Sequence, residues 1–307
     1  MNPSCGSSSS SNSEEQQKQR KPKIRKTGNS APASASKPAT QVQARAHPGY
    51  SLPQFLRTRH RNRELKESTT NTRIKSTEHN VSGGAYHVKP TDVADFHAAY
   101  AHHVFTLGNA EYLTEAQHAT DGPLVVDLDF RYPSTVTARP HTEVHVMRVL
   151  ELYAACMQTM WSAPLKSKIN VYVMEKPDVV CDPGGGDTKD GIHILFGLTA
   201  DRVSQIELRE RVMLKFRRAV QDLPLTNTLD GILDRGISEG NTNWQMYGSR
   251  KPGKVPYVVT HQYTISPVPT STSNSVELVV TECPVDINPA DPAQFRKLSV
   301  QYLNNPV

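Results

Sequence analysis

Apolar side chains, cysteines and long hydrophobic runs are all scarce in this 307-residue sequence. Apolar residues make up 36% of it, low for a chain of this size, so part of it is expected to stay outside any core. No stretch approaches the roughly eighteen apolar residues of a bilayer span, and the Ser-rich, charged N-terminal region has no apolar core of a secretory leader. An intracellular protein is expected. The four cysteines, Cys5, Cys156, Cys181 and Cys283, stand apart without CxxC or CxH spacing, which argues against a disulfide scaffold and against a thiolate zinc knuckle. Reduced, inert thiols are expected instead.

The net charge of +5 is unevenly placed. Residues 1–50 hold eight Lys or Arg against Glu14 and Glu15, and residues 51–80 hold seven against Glu64, Glu67 and Glu78, so the remaining chain carries −5. Residues 1–48, rich in Ser, Ala, Pro, Lys and Gln, bury too little to offset ordering entropy and are expected to form a disordered basic tail. Within it, Lys18 to Lys26 (KQRKPKIRK) reads as a nuclear-import signal, a nucleic-acid arm or a solvated tail. Residues 49–80 read as a basic linker, in which Arg57, Arg59, Arg61 and Arg63 share one face of an extended segment or sit in a loose loop. Residues 81–307 are left as the folded part.

Apolar periodicity begins near Gly83. Thr91 and the residues after it read as a capped helix with Val93, Phe96, Tyr100 and Val104 on one face. Glu143 to Trp161 reads as a second helix facing inward through Val144, Met147, Leu150 and Met157, and Asp201 to Leu223 as a third through Ile206, Val212, Phe216 and Val220. Apolar runs at 123–126, ahead of DLDFRY, and in GIHILFG predict buried strands. INVYVME, Ile232 to Asp234, WQMYG, YVVTHQYTI and SVELVVTE are further strand candidates. The class is α+β, a mixed sheet flanked by helices.

The sharpest chemical feature is the pair Asp127 and Asp129 in VVDLDF. One intervening residue on a strand puts both carboxylates on the same face, with Cα atoms roughly 6–7 Å apart. Such anions repel, and a hard Mg²⁺ or Mn²⁺ ion relieves the repulsion while keeping positions for water and phosphate. Two surface aspartates at a strand end are the plain alternative. His193, in an apolar strand behind a glycine turn, reads either as a core histidine or as a phosphate contact, with Lys189 four residues before it and Gly191 allowing close approach. Asp234 closes a short apolar run, and Arg250, Lys251 and Lys254 follow in a Gly/Pro turn suited to phosphates. Asp230 and Asp286 compete with Asp234 as a third acid. His141 and His145, spaced i,i+4, are the candidate pair for a zinc site.

Taken in order, YLTEAQ (Tyr112 to Gln117), DLDFRY, KDGIHI and MYGSRKP resemble the motifs of archaeo-eukaryotic primases. They are most similar to the primase domain of helicase-primases from nucleocytoplasmic large DNA viruses, over about Gly83 to Tyr302. The resemblance implies a primase-like catalytic core in which Asp127, Asp129 and Asp234 are catalytic and hold a two-metal site of Mg²⁺ or Mn²⁺. It implies that His193 contacts the phosphates of the incoming nucleotide, and that Lys189, Arg250 and Lys251 contact triphosphate or template. Arg131 assists there or steadies the motif through an ion pair.

The implied activity is that of a DNA primase or primase-polymerase, a nucleotidyltransferase making primers on single-stranded DNA at a viral replication site in host cytoplasm or nucleus. Its partners are the single-stranded template, NTP or dNTP, and a helicase domain or subunit, with no membrane. The sequence holds no GxxxxGK[ST] loop of the helicase that accompanies viral members. Rival readings are a catalytically silent nucleic-acid-binding module of a replication complex and a DxD glycosyltransferase, which leaves GIHI and GSRKP unexplained. Phe130, Tyr132 and Tyr247 are the candidates for discriminating against a 2′-hydroxyl.

Overall fold

In SLPQFLR the Ser51 hydroxyl accepts from the Gln54 N–H while the Gln54 side chain accepts from the Ser51 N–H, and Leu52, Phe55 and Leu56 fall on one buried stripe. The computed structural model, which describes residues 49, 51–161, 167–270 and 276–302, accordingly begins with a helix. This is α1 (Leu52–Arg57), followed by β1 (Asn71–Arg73), β2 (Gly84–Tyr86), α2 (Val93–Ala101), β3 (Leu113–Glu115), β4 (Asp121–Tyr132) and α3 (Glu143–Met160). Next come β5 (Ile169–Glu175), β6 (Thr188–Asp201), α4 (Arg202–Val220) and the one-turn helices α5 (Leu229–Ile232) and α6 (Arg235–Ser238). The order closes with β7 (Trp244–Gln245), β8 (Val258–Pro269), β9 (Val276–Cys283) and α7 (Pro292–Phe295). The expected basic tail, with Cys5 and Lys18 to Lys26, lies outside the described residues.

Five strands pair in the order β4-β6-β5-β8-β9, and four shorter ones in the order β2-β1-β3-β7. The α+β class holds, but the sheet expected as mixed is antiparallel at every strand pairing, which suits the short links from β5 to β6 and from β8 to β9. α3 and α4 cover one face of the larger sheet. There Val126, Leu128 and Phe130 of β4 meet Val149, Leu150 and Tyr153 of α3 and Leu208, Val212 and Phe216 of α4. The two-residue period of β4 leaves Asp127, Asp129 and Arg131 on the opposite face. α3 faces inward as expected through Leu150 and Met157, with Met147 packed at the edge of the core, but Val144 is 55% exposed and Val146, Val149 and Tyr153 complete the buried face. EVHVMRVLELY carries two adjacent apolar stripes, and packing against α4 selects one of them.

The segment 49–80, expected as a linker, instead helps build the smaller sheet through β1. β1 lies between β2 and β3 with Asn71 and Arg73 buried, and α1 packs with α2 and α7 around Leu113 and Met246. Arg73 forks onto buried Glu111 (2.7 and 2.6 Å), and Arg59 pairs with Asp92 at 2.8 Å, so both are neutralised within the fold. The apolar stripe of α1 is too short to stand out against the surrounding charge. Cys156 is buried, Cys181 exposed and Cys283 intermediate, all three unpaired, and among the described residues no helix is long and apolar enough to cross a membrane.

Candidate active site

The register between β4 and β6 sets three cross-strand pairs on one face: Asp127 opposite His193, Asp129 opposite Gly191, and Arg131 opposite Lys189. They line a cleft of about 620 Å³ together with Asp234, Arg250, Lys251, Lys254, Lys176, Trp244 and Tyr257. Gly191 lies within β6 rather than in a turn before it, and a Cβ there would come 2.6 Å from the Tyr257 hydroxyl. Gly248, in the MYGSRKP turn, has φ +85° and would place a Cβ 2.6 Å from the Phe105 ring. Ser249 of that turn is buried, its hydroxyl accepting from the Leu113 N–H at 3.0 Å and bonded to the Tyr100 hydroxyl at 2.8 Å. The turn is thereby tied to the smaller sheet.

Asp234 reaches the cleft by a different route from the expected strand end. Thr228 caps α5 through the Gly231 N–H, so Ile232 belongs to a helical turn; Leu233 makes a single bridge to Leu128, and the Asp234 N–H donates to the Asp127 carbonyl at 3.1 Å. The Asp234 Oδ1 accepts from the Gly236 N–H at 2.8 Å as the cap of α6. Gln117 of YLTEAQ pins the following segment by donating to the carbonyls of Ile237 (3.0 Å) and Thr242 (2.9 Å). Glu115 of the same string is buried, accepts from the Ser299 hydroxyl and the Val300 N–H, and is pushed by burial to about 7.

The electrostatics of the cleft are unbalanced. The Asp127 side chain is 19% exposed, but its Oδ1 is sealed from solvent without a hydrogen-bond partner. Burial, then the charges of Asp129 and Asp234, push this carboxyl up to about 8. His193 stands 3.6 Å from it, too far for a hydrogen bond, and is brought down to about 3 by burial and then by Lys176 and Lys251. The ring is therefore neutral near pH 7 and cannot balance Asp127. It lies between Tyr257 (centroids 3.7 Å apart, 18° between planes) and Trp244 (4.4 Å). An orphaned, crowded carboxyl of this kind fits a bound cation, and oxygen donors from Asp127, Asp129 and Asp234 suit a hard divalent ion.

Of the rival acids, Asp230 pairs with Arg209 at 2.6 Å and the Asp286 N–H donates to Gln262 at 3.3 Å; neither lines the cleft. His141 precedes α3 and bonds Glu175 at 2.6 Å, whereas His145 serves the Thr142 cap and faces Asp222 at 3.1 Å, so the two diverge and make no zinc pair. Among the described residues, the trio whose ligand atoms all lie within 4.8 Å of one another is Glu143, His261 and Glu282, at the start of α3 and on β8 and β9, rather than the three aspartates. Phe130 and Tyr132 turn into the core, and the Tyr247 hydroxyl accepts from the Val259 N–H at 3.2 Å. Lys176, Trp244 and Tyr257 were not anticipated as site residues. The available signal was a lysine directly after the apolar strand INVYVME and aromatics flanking MYGSRKP.

A family model described as the C962R protein N-terminal AEP domain matches residues 76–263, more than half of the chain. The chain belongs to this archaeo-eukaryotic primase family. A protein of Acanthamoeba polyphaga mimivirus named "Putative helicase L207/L206" is 30% identical over 199 residues, 64% of this chain and 20% of that protein. The chain thus spans about a fifth of that relative's length. Family membership leaves the glycosyltransferase reading without support.

Proposed function

We propose that this cleft performs template-directed nucleotidyl transfer, making primers on single-stranded DNA. The observation that carries the reading is the meeting, within one cleft, of the carboxyls of Asp127, Asp129 and Asp234 with the basic side chains of Lys189, Arg250 and Lys251. The three aspartates hold Mg²⁺ or Mn²⁺. When bound, such ions lower the pKa of an attacking hydroxyl and stabilise a leaving pyrophosphate. His193, neutral and fixed between two aromatic rings, offers one ring N–H to a phosphate oxygen without bringing in a second charge. Lys189, Arg250 and Lys251 orient the triphosphate so that its α-phosphate faces the primer end.

The template, NTP or dNTP, and a helicase domain or subunit are the partners of this activity, and a viral replication site is its setting. The test is incorporation of labelled NTP and dNTP, in parallel, on an unprimed single strand with Mn²⁺ or Mg²⁺. Product that disappears in the Asp127→Ala/Asp129→Ala double variant supports the reading; equal product from that variant overturns it. A silent nucleic-acid-binding module would bind the strand in a salt-dependent way, incorporate nothing, and be indifferent to the aspartates.

A further inference from the structure

Lys176 follows the last residue of β5 and stands half-buried in the cleft wall. Its backbone is held from behind: Arg139 donates to the Lys176 carbonyl at 2.6 Å and pairs with Asp190 at 2.8 Å and Glu175 at 3.5 Å. Its ammonium lies over the Tyr257 ring, 4.8 Å from the centroid, and Tyr257 in turn stacks on His193. The side chain is therefore aimed by an aromatic platform that also positions the histidine of the site.

Among the described residues, neither Lys176 nor its cleft neighbours Lys251 and Lys254 makes an ion pair, although all three line the same cleft. They feel one another: burial, then Lys251, and more weakly Lys254, favour the uncharged form of Lys176, while Asp129 and Asp127 oppose this. Beside them, the Nε of Arg250 is buried without a partner. Three clustered ammoniums, only partly offset by the aspartates, and an unpaired guanidinium N–H are an arrangement that a compact polyanion would satisfy.

We propose that Lys176, with Lys251 and Lys254, forms a three-ammonium clamp for the polyphosphate tail of a nucleoside triphosphate, with Lys176 making the cleft selective for triphosphate over monophosphate. The proposal rests on the nucleotide-transfer reading of the cleft and deepens it. A triphosphate concentrates its charge on three adjacent phosphate groups, which matches ammoniums converging beside Asp127 and Asp129; a template strand spreads one charge over each nucleotide. Arg250 contributes the planar fork that lysine lacks.

The test uses the full chain with Mg²⁺ in excess. Binding of inorganic tripolyphosphate, ATP and AMP is measured by calorimetry, and of a fluorescent single-stranded oligonucleotide by anisotropy, for wild type, Lys176→Met and Lys176→Arg. Lys176→Met is expected to weaken tripolyphosphate and ATP by about tenfold or more, as for loss of one charge-assisted contact, and to raise the KM for nucleotide more than it lowers kcat. AMP and oligonucleotide binding stay at wild-type levels, and Lys176→Arg, which restores charge, recovers most of the loss and controls for folding. Unchanged tripolyphosphate binding in Lys176→Met overturns the clamp, and so does an equal fall in oligonucleotide affinity, which would make Lys176 a template contact. If tripolyphosphate binding depends on Lys176 while wild type incorporates no nucleotide, the clamp stands and the transfer reading falls. Normal incorporation with no effect of Lys176→Met gives the reverse.

Discussion

Two groups of acids and histidines adjoin one another in this protein. One is the cleft set, Asp127, Asp129, Asp234 and His193; the other is Glu175, Asp190, His141 and Arg139, at the adjoining ends of β5 and β6. In the second set burial pushes Glu175 up, but hydrogen bonds from His141 and Thr260 and the charge of Arg139 outweigh it and bring the carboxyl down to about 2. In the first set burial and like charges act together, and Asp127 is pushed to about 8. Similar residue types have opposite displacements because Glu175 is hydrogen-bonded by His141 and Thr260 beside Arg139, whereas on Asp127 burial and two like charges outweigh the partial relief from Lys251 and Lys176. The closed set supports the wall; the open set requires a ligand from outside.

Removing the open set tests this contrast most severely. Asp127→Ala/Asp129→Ala is expected to lower primer synthesis by about a thousandfold or more without lowering the melting temperature, because it relieves repulsion while removing metal ligands. Retention of more than about a tenth of the activity would remove the functional half of the comparison. In the closed set, Glu175→Ala takes the hydrogen-bond partner from buried His141 and leaves Arg139 with Asp190 alone, and is expected to cost about 3 kcal/mol in urea unfolding. Incorporation per folded molecule falls far less than in the aspartate variant, and a stability loss below about 0.5 kcal/mol would show that the set is not structural.

The two sets also titrate stability in opposite directions. Glu175 moves from 4.5 when unpaired to about 2 in the fold, so its contribution is present above 4.5 and is lost as pH falls toward 2. Asp127 moves from 3.8 to about 8, so its contribution is present below 3.8 and is lost as pH rises through 8. In metal-free protein Asp127→Asn is expected to flatten the alkaline limb of the melting curve against pH, by on the order of 1–3 kcal/mol near about pH 9, and Glu175→Gln the acid limb. Identical pH profiles for the two variants would blur the contrast. The smallest effect is expected from Asp230→Ala and Asp286→Ala, which lie outside the cleft and leave incorporation within about twofold of wild type; a larger loss would place one of them in the chemistry.

Much of the larger sheet was legible in the chain. INVYVME coincides with β5, because a seven-residue alternation bounded by polar residues has few other uses. That Asp127 and His193 stand on buried strands was legible from their apolar neighbours, but that the two strands pair, and in which register, was not. Ile232 to Asp234 misled because three apolar-to-acidic residues fit a strand end and a capped helical turn equally well, and Thr228 decides between them. Arg73 was counted as available charge, yet burial against Glu111 removes it.

The chain by itself determined the α+β class and the acid-x-acid strand, which follow from local periodicity and residue chemistry, and it carried the primase motifs as a resemblance. Tertiary structure alone decided that the segment read as a linker belongs to the fold and that Asp234 enters the cleft from a helical turn rather than a strand end. It also decided that Lys176 and Tyr257 stand beside the aspartates, and which carboxylates find a cation. Those outcomes depend on long-range register and on the low-dielectric surroundings it creates, and neither is encoded in any short window of sequence.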